Sequence, residues 1–444
     1  MEGSTISFIG VLFGLTISIV MIIRKLNPVS AMYLGAICGA VIGGASLAVL
    51  FDVVIIEGGR MVKGIIVRII AGGVLAGVLI ESGAAESIAR GIVEKLGEKR
   101  VLIAMTLASA IILAVGVFLP VSVVILAPIA LSVAHKANIS KFAAILALSG
   151  GAKAGNIISP NPNTIAAAES FNLPLSQVMI GGLIPGLAAF AATIFLCNMV
   201  QRKGEMVTDD DLEKASEAPD AAHVKAKIAD IGPASTLPPF NRAIVAPVVA
   251  IGLLMISPIL GIFGITFQVD AFFVLPFGAI VGAIAMGKGR NIIDYTNKGV
   301  TRMAPVVLML AGAGALSGLI INSDFPALIL SGMAALGIPT VFLAPISGTI
   351  MGSATGSAAT GVIIAGSAFN YTLLNAGVSA ISAAVMIHAG AGFLDIVPHG
   401  NYFLASQSSM KVSMIDRIKV MPYEALVGGV MTLVATIVYG FILR

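Results

Sequence analysis

The feature that most limits what this chain can fold into is the recurrence, along almost its whole length, of apolar runs near twenty residues long. A hydrocarbon core roughly 30 Å thick is crossed by about 20 apolar residues in a helix, and only helices and closed barrels pair every backbone polar group without water. Barrel strands would show segments of about ten residues with alternating polarity, whereas these runs are continuous. An all-α polytopic membrane protein is therefore expected. Composition agrees, with 58% hydrophobic and 11% charged residues where a soluble domain carries about a quarter charged. The first run, from about Ile6 to Ile23, has no basic residue before it and no small-residue cleavage site after it, so it reads as a retained span rather than a signal peptide. Cys38 and Cys197 lie singly in apolar runs with no CxxC spacing and are expected to pack as small hydrophobes. The net charge of +4 is scattered over loop ends, which points to topology and away from nucleic acid.

Seven apolar runs, at about 5–23, 30–50, 64–80, 101–118, 119–134, 141–158 and 176–198, precede a polar stretch, and seven more follow at about 243–262, 266–286, 304–321, 340–351, 357–374, 377–394 and 422–443. The stretch between them, 201–240, carries Asp209, Asp210, Asp211, Glu213 and the breaker run Leu237-Pro238-Pro239 and reads as a solvated cytoplasmic linker. The domains are thus 1–200, the linker, and 241–444, with about 10 to 14 membrane segments in all. A colinear match supports duplication: Leu75 to Ser82 lies over Leu316 to Ser323, Val101 to Ala104 over Val341 to Ala344, and Pro160 and Asn163 fall opposite Pro398 and Asn401. Basic residues follow the first span of the first half, at Arg24 and Lys25, but follow the second span of the second half, at Lys288, Arg290, Lys298 and Arg302. Since short cytoplasmic loops are enriched in Lys and Arg, that shift by one crossing implies inverted repeats and an outside amino terminus. Arg60 and Lys63 sit on the opposite side to this pattern.

Irregular backbone at membrane depth is tolerated only inside protein or beside a water-filled cavity, so Pro, Gly and Asn clusters within apolar runs mark candidate sites. Gly150 to Thr164 contains Pro160 and Pro162 and reads as a broken helix. There Asn156, Ser159, Asn161, Asn163 and Thr164 would offer amides and hydroxyls, and the interrupted helix ends would offer N–H groups to an anion and carbonyls to a cation; an extramembrane loop is the other reading. Lys153, costly at depth, is expected to pair with a substrate carboxylate or to snorkel to the interface. The counterpart, Ile387 to Tyr402, holds Asp395, His399 and Asn401; the carboxylate and imidazole are candidates for proton coupling, with Asp395 alternatively an N-cap or ion-pair partner. His388 is expected to be a satisfied packing histidine. A third stretch, Ser347 to Thr360, reads either as a small-residue packing face or as the tip of a re-entrant hairpin presenting Ser353, Thr355 and Ser357. Its first-half counterpart is Ala114 to Ser122, interrupted by Pro120.

Competing chemistries lack their residues. Gly282 to Lys288 has phosphate-loop spacing, but Gly289 stands where the metal-holding Ser or Thr belongs, and His135, His223, His388 and His399 form no HExxH pair. No catalytic residues, metal or cofactor are expected. A passive channel fits two broken helices less well than alternating access does.

Ser82 to Arg90 followed by Leu96 to Arg100, Pro160 to Ala168 with Gly181 to Gly186, and Gly352 to Thr355 resemble the gluconate permease (GntP) family of the ion transporter superfamily. The resemblance runs from about Gly58 to the carboxyl end. It implies a proton symporter for gluconate or other small hydroxy acids, with re-entrant hairpins, inverted repeats and a homodimer in the inner membrane. The chain departs from the family at Ser159 to Thr164, where PPHPGP is common, and at Val397 to Tyr402, where a run like HVNDSGFW is common. The amide and hydroxyl content is also similar to the hairpins of sodium-coupled carboxylate carriers of the wider superfamily, so a sodium-coupled carboxylate transporter or an ion antiporter of that superfamily is the alternative, and H+ and Na+ both stand as coupling ions.

Overall fold

In a computed structural model the residues described are 6–97, 100–212, 237–265, 267 and 269–443. Among them there is no strand beyond two isolated bridges, Ile6 with Ser323 and Ser140 with Met206. The first half runs α1 (Phe8–Ile23), α2 (Pro28–Ile42), α3 (Leu47–Phe51), a π-helical turn (Asp52–Glu57), α4 (Gly58–Glu81), α5 (Ala84–Leu96), α6 (Val101–Ala114), α7 (Leu119–Lys136), α8 (Lys141–Asn156), α9 (Pro162–Ser170), α10 (Leu175–Gly181) and α11 (Leu183–Met199). The second runs α12 (Phe240–Ala243), α13 (Val245–Ile262), α14 (Ala271–Ala285), α15 (Ile292–Ile321), α16 (Phe325–Ala335), α17 (Leu343–Thr355), α18 (Ala358–Asn375), α19 (Ala380–Ala391), α20 (Asn401–Ser409) and α21 (Met414–Ile437).

A frame forms around α4 and α15, which lie antiparallel because glycines let their backbones touch. A Cβ on Gly77 would sit 2.7 Å from the Gly299 Cα, closer than any real side chain approaches. The α1–α2 hairpin packs on α15, with Gly312 against Met32, and the α13–α14 hairpin packs on α4, with Leu275 beside Gly72.

The remaining helices repeat one motif. α6 and α8 lie side by side and parallel, Gly151 against Thr106 and Gly155 against Ala110; α17 and α19 do the same, Gly348 against Ile387 and Gly352 against Ala391. Each pair is bonded by a hydroxyl on a carbonyl, the Ser109 Oγ donating to the Leu148 oxygen at 2.6 Å and the Thr349 Oγ1 to the Gly390 oxygen at 3.2 Å. α7 and α18 turn back from α6 and α17 at Gly116 and Gly356, whose φ values of +96° and +61° favour glycine. Each is a helical hairpin, and the runs at about 101–134 and 340–374 are the arms of the two hairpins. Among the described residues four helices, α7 included, are long and apolar enough to cross a membrane, or up to six when two bent pairs are each counted as one span; several of the fourteen apolar runs are shorter helices.

Residues 201–212 fix which ends lie together. The Ser140 N–H donates to the Gln201 oxygen at 2.8 Å, the Lys141 N–H to the Glu205 oxygen at 2.9 Å, and the Lys141 Nζ reaches both the Asp211 carboxylate at 2.7 Å and the Lys411 oxygen at 3.2 Å. The end of α7, the start of α8 and the turn after α20 thus share the linker end of the bundle. Ser170, which ends α9, receives the Asn370 side-chain amide at the last turn of α18 (3.0 Å), so these ends share the far end. The α6–α7 hairpin enters from the linker end and the α17–α18 hairpin from the far end. The expected solvated linker is corrected in part: Asp211 is buried and ion-paired, because burial, which opposes its charge, is outweighed by Lys141 and by the Thr208 N–H and hydroxyl, and its carboxyl is held below the ordinary range. Glu213 and His223 lie outside the described residues. Cys197 is buried and Cys38 half-buried, and both are free thiols.

Candidate substrate site

α8 stops at Asn156 because Pro160 and Pro162 cannot donate to a continuing helix. The chain restarts through Asn161, the N-cap of α9. Its Oδ1 accepts from the Asn163 and Thr164 N–H groups at 2.8 and 3.1 Å, while its Nδ2 donates to the Asn156 carbonyl at 2.9 Å and touches the Asn156 side-chain oxygen. The Thr164 hydroxyl donates to the same Asn156 carbonyl at 3.4 Å. One amide therefore ties both sides of the break together.

The second break runs from Gly392 to Gly400, and α20 starts at Asn401 with no side-chain cap. Lys153 of the first half reaches into it, its ammonium donating to the Gly392 carbonyl and to the Asp395 carboxylate. Both side chains are more than nine-tenths buried. A pair of this kind is stable only because each charge compensates the other.

Both breaks and both hairpin tips face one cleft of about 540 Å³, including its mouth. Asn156, Asn161 and Asn163 line it from the first break, Asp395, Asn401 and Tyr402 from the second, with Val117 to Pro120 and Gly356 to Ala359 from the tips and Met309 from the frame. A second cleft of about 370 Å³ shares Met309, Gly356, Ser357 and Asn401 and adds Thr355, Thr360 and His399. α7, α9, α18 and α20 all begin at this place, so four positive dipole ends converge on it. Side chains cap α9 and α18, whose Ser357 Oγ accepts from the Thr360 N–H at 3.4 Å; α7 and α20 have none. The Tyr402 hydroxyl and the His399 Nε2 are buried without a protein partner.

The expected residues separate by position. Asn156, Asn161, Asn163, Ser357, Asp395 and Asn401 line the main cleft, and Thr355 and His399 its extension. Lys153 is buried behind the cleft rather than snorkelling to an interface, and it is paired with the Asp395 carboxylate that the other half supplies. Thr164 is consumed in the cap, and Ser159 is fully buried away from the cleft. The Ser353 hydroxyl points away as well, donating to the Ile350 carbonyl at 3.0 Å on its own helix. His388 is buried as expected but not satisfied, since neither ring nitrogen has a partner. Tyr402 and Met309 were not legible from the sequence: one is an aromatic beside an expected residue, the other an apolar residue in an apolar helix.

Broken helices facing each other across hairpin tips, inside an all-helical membrane bundle, define a multi-pass transporter rather than an enzyme. The chain belongs to the GntP family of permeases, whose family pattern matches residues 6–442. It is 44% identical over 437 residues, 98% of this chain and 99% of the other, to an uncharacterized transporter of Haemophilus influenzae. It is 21% identical to the high-affinity gluconate transporter of Escherichia coli, over 98% of this chain and 99% of that one, and 26% identical to the gluconate permease of Bacillus subtilis, over 66% and 69%. In fold it resembles the YdaH transporter of Alcanivorax borkumensis, with a TM-score of 0.61 at 15% identity over 89% of both chains, and MtrF of Neisseria gonorrhoeae, with 0.56 at 14% identity over 96% and 95%. Low identity to the named gluconate carriers marks a divergent member, and the setting is consistent with a multi-pass protein of the bacterial inner membrane.

Proposed function

We propose that this permease is a secondary active symporter that moves a small hydroxylated organic anion, gluconate or an acid chemically like it, together with protons. The observation that carries the reading is the cleft itself, where both breaks meet beside a buried pair of zero net charge. Because Lys153 and Asp395 cancel, an anion in the cleft would be received by helix N-termini and neutral amides, and α20 offers an uncapped one. Asn163 and Asn401 line the cleft as amides that can donate and accept, and Asn156 adds its Nδ2, which suits a chain of hydroxyls. The relatives named for gluconate point the same way.

Asp395 is the proton-linked group in this reading. Protonating it would leave Lys153 with a single carbonyl partner, so occupancy of the cleft and protonation are coupled through one side chain. Protons are favoured over sodium because Asp395, the one carboxylate among the cleft's lining residues, is already paired with Lys153, and the Asn161 oxygen is taken by two N–H groups.

Alternating access is supported by the opposed entry of the two hairpins and the parallel α6–α8 and α17–α19 pairs, which fit two inverted repeats of one duplicated fold. A homodimer follows only from the family resemblance. The test is uptake of labelled gluconate and a panel of hydroxy acids and dicarboxylates into proteoliposomes under a pH gradient or a sodium gradient. Accumulation driven by the pH gradient alone is expected; accumulation that requires sodium would overturn proton coupling, and counterflow of no organic anion would overturn the transport reading.

A further inference from the structure

We infer that Arg417 is a positioning residue that clamps α20 against α21 and so sets where Asn401 and Tyr402 stand in the cleft; this rests on the cleft being the substrate site. Arg417 is fully buried, in the first turn of α21. Its guanidinium forms a two-pronged pair with Glu424, Nη1 to Oε2 at 2.8 Å and Nη2 to Oε1 at 2.9 Å. The remaining edge donates from Nε to the Ser406 hydroxyl at 2.7 Å, and the flat face lies 4.7 Å from the centre of the Phe403 ring. Ser406 and Phe403 are both on α20, and both are fully buried.

A buried ion pair contributes little net stability compared with apolar residues of the same volume, because desolvation offsets the attraction. Its geometry, however, is fixed: the planar fork admits one arrangement on a carboxylate, and that arrangement aims Nε and the ring face at α20. Glu424, seven residues or about two helical turns further along α21, orients Arg417, and Arg417 in turn holds α20. The need is evident in α20 itself, which has nine residues, no side-chain cap and the job of presenting Asn401 and Tyr402 from its first turn. α9, its counterpart, is fixed instead by the Asn161 cap.

The experiment uses the full-length protein in proteoliposomes and compares Ser406→Ala, Phe403→Leu and Arg417→Lys with Thr432→Val. Thr432 is the control because its buried hydroxyl on the same helix α21 bonds to α19, at the Ala389 carbonyl, and not to α20. Hydrogen exchange of the α20 amides is expected to accelerate about tenfold in Ser406→Ala, the scale of one buried charge-assisted hydrogen bond, with α21 unchanged. The KM for labelled gluconate is expected to rise by a similar factor with the maximal rate largely kept. If α20 exchanges no faster in the three α20-directed variants than in Thr432→Val, the inference is wrong. Asn401→Ala tests the underlying site separately: α20 loosened by Ser406→Ala, with gluconate uptake untouched by Asn401→Ala, would retain the clamp and discard the cleft as the gluconate site.

Discussion

Lys153 on α8 and Asp395 in the second break lie 242 positions apart in the chain and form a direct ion pair, each side chain more than nine-tenths buried. The pair joins the two halves at the point where both helices are interrupted. Removing one partner strands a buried charge, which typically costs about 3–5 kcal/mol. Asp395→Asn is therefore expected to lower the melting temperature by several degrees and to abolish pH-driven accumulation while leaving equilibrium exchange of substrate. Retained accumulation under a pH gradient would remove Asp395 from the coupling role.

Asn161 serves both as a helix cap and as a cleft wall. Asn161→Ala should cost about 1 kcal/mol from the lost cap and weaken substrate binding, whereas Asn163→Ala, whose side chain takes no part in the cap, should weaken binding with a smaller loss of stability. Binding can be read by isothermal titration and stability by thermal unfolding in detergent. Unchanged affinity in both variants would place the substrate elsewhere.

The parallel helix pairs depend on missing Cβ atoms. Gly352→Ala would drive a methyl group into the Ala391 backbone, and Gly155→Ala into the Ala110 backbone. Each is expected to destabilise the protein by about 1–3 kcal/mol, visible as a lower melting temperature. Gly59→Ala, with open space around its Cβ position, is the matched control.

Arg68 on α4 pairs with Glu169 at the far end of α9 and with Asp270, the N-cap of α14, its Nη2 2.6 Å from the carboxylate. It fastens a helix of the first break to the frame. Arg68→Gln is expected to loosen that end, raising maleimide labelling of an introduced Ser170→Cys several-fold. Labelling at the rate found in the Ser170→Cys parent would show that the far end is held by packing alone.

Asp211 gives a pH dependence outside the bundle. Its carboxyl is held below the ordinary value, chiefly through Lys141 and Thr208 acting against burial. A depressed folded pKa stabilises docking above the unfolded value of about 3.9 and loses that contribution as pH falls through the folded value. Residues 205–211 should therefore stay protected from hydrogen exchange from neutral pH down to about 4 and lose protection below it, after correction for intrinsic exchange. Asp211→Asn should remove that protection already at neutral pH.

Most of the fold class was legible because lipid imposes a simple rule: apolar runs must be helical, and a run interrupted by Pro, Gly and Asn must be sheltered. That rule located both breaks, the hairpin tip at Ser357 and the residues Asn161, Asn163, Asp395 and Asn401. It could not show that the arms flanking Gly116 and Gly356 fold back on each other, because that turn depends on backbone angles there. Nor could it aim side chains: Ser353 and Ser357 are four residues apart in one small-residue stretch, yet one hydroxyl bonds back to its own helix and the other caps the next.

The sequence by itself determined that this chain lives in a membrane and where the helices break, since those follow from local polarity and backbone donors. Only the tertiary structure decided which charge meets which. Lys153 had two readings from sequence, substrate partner or interfacial snorkel, and neither named the carboxylate it meets, because Asp395 comes from the other half of the chain. Nothing in the sequence joins Arg417 and Glu424 to α20; burial and geometry do. Compensation of a buried charge depends on distance in space, and spacing along the chain does not contain it.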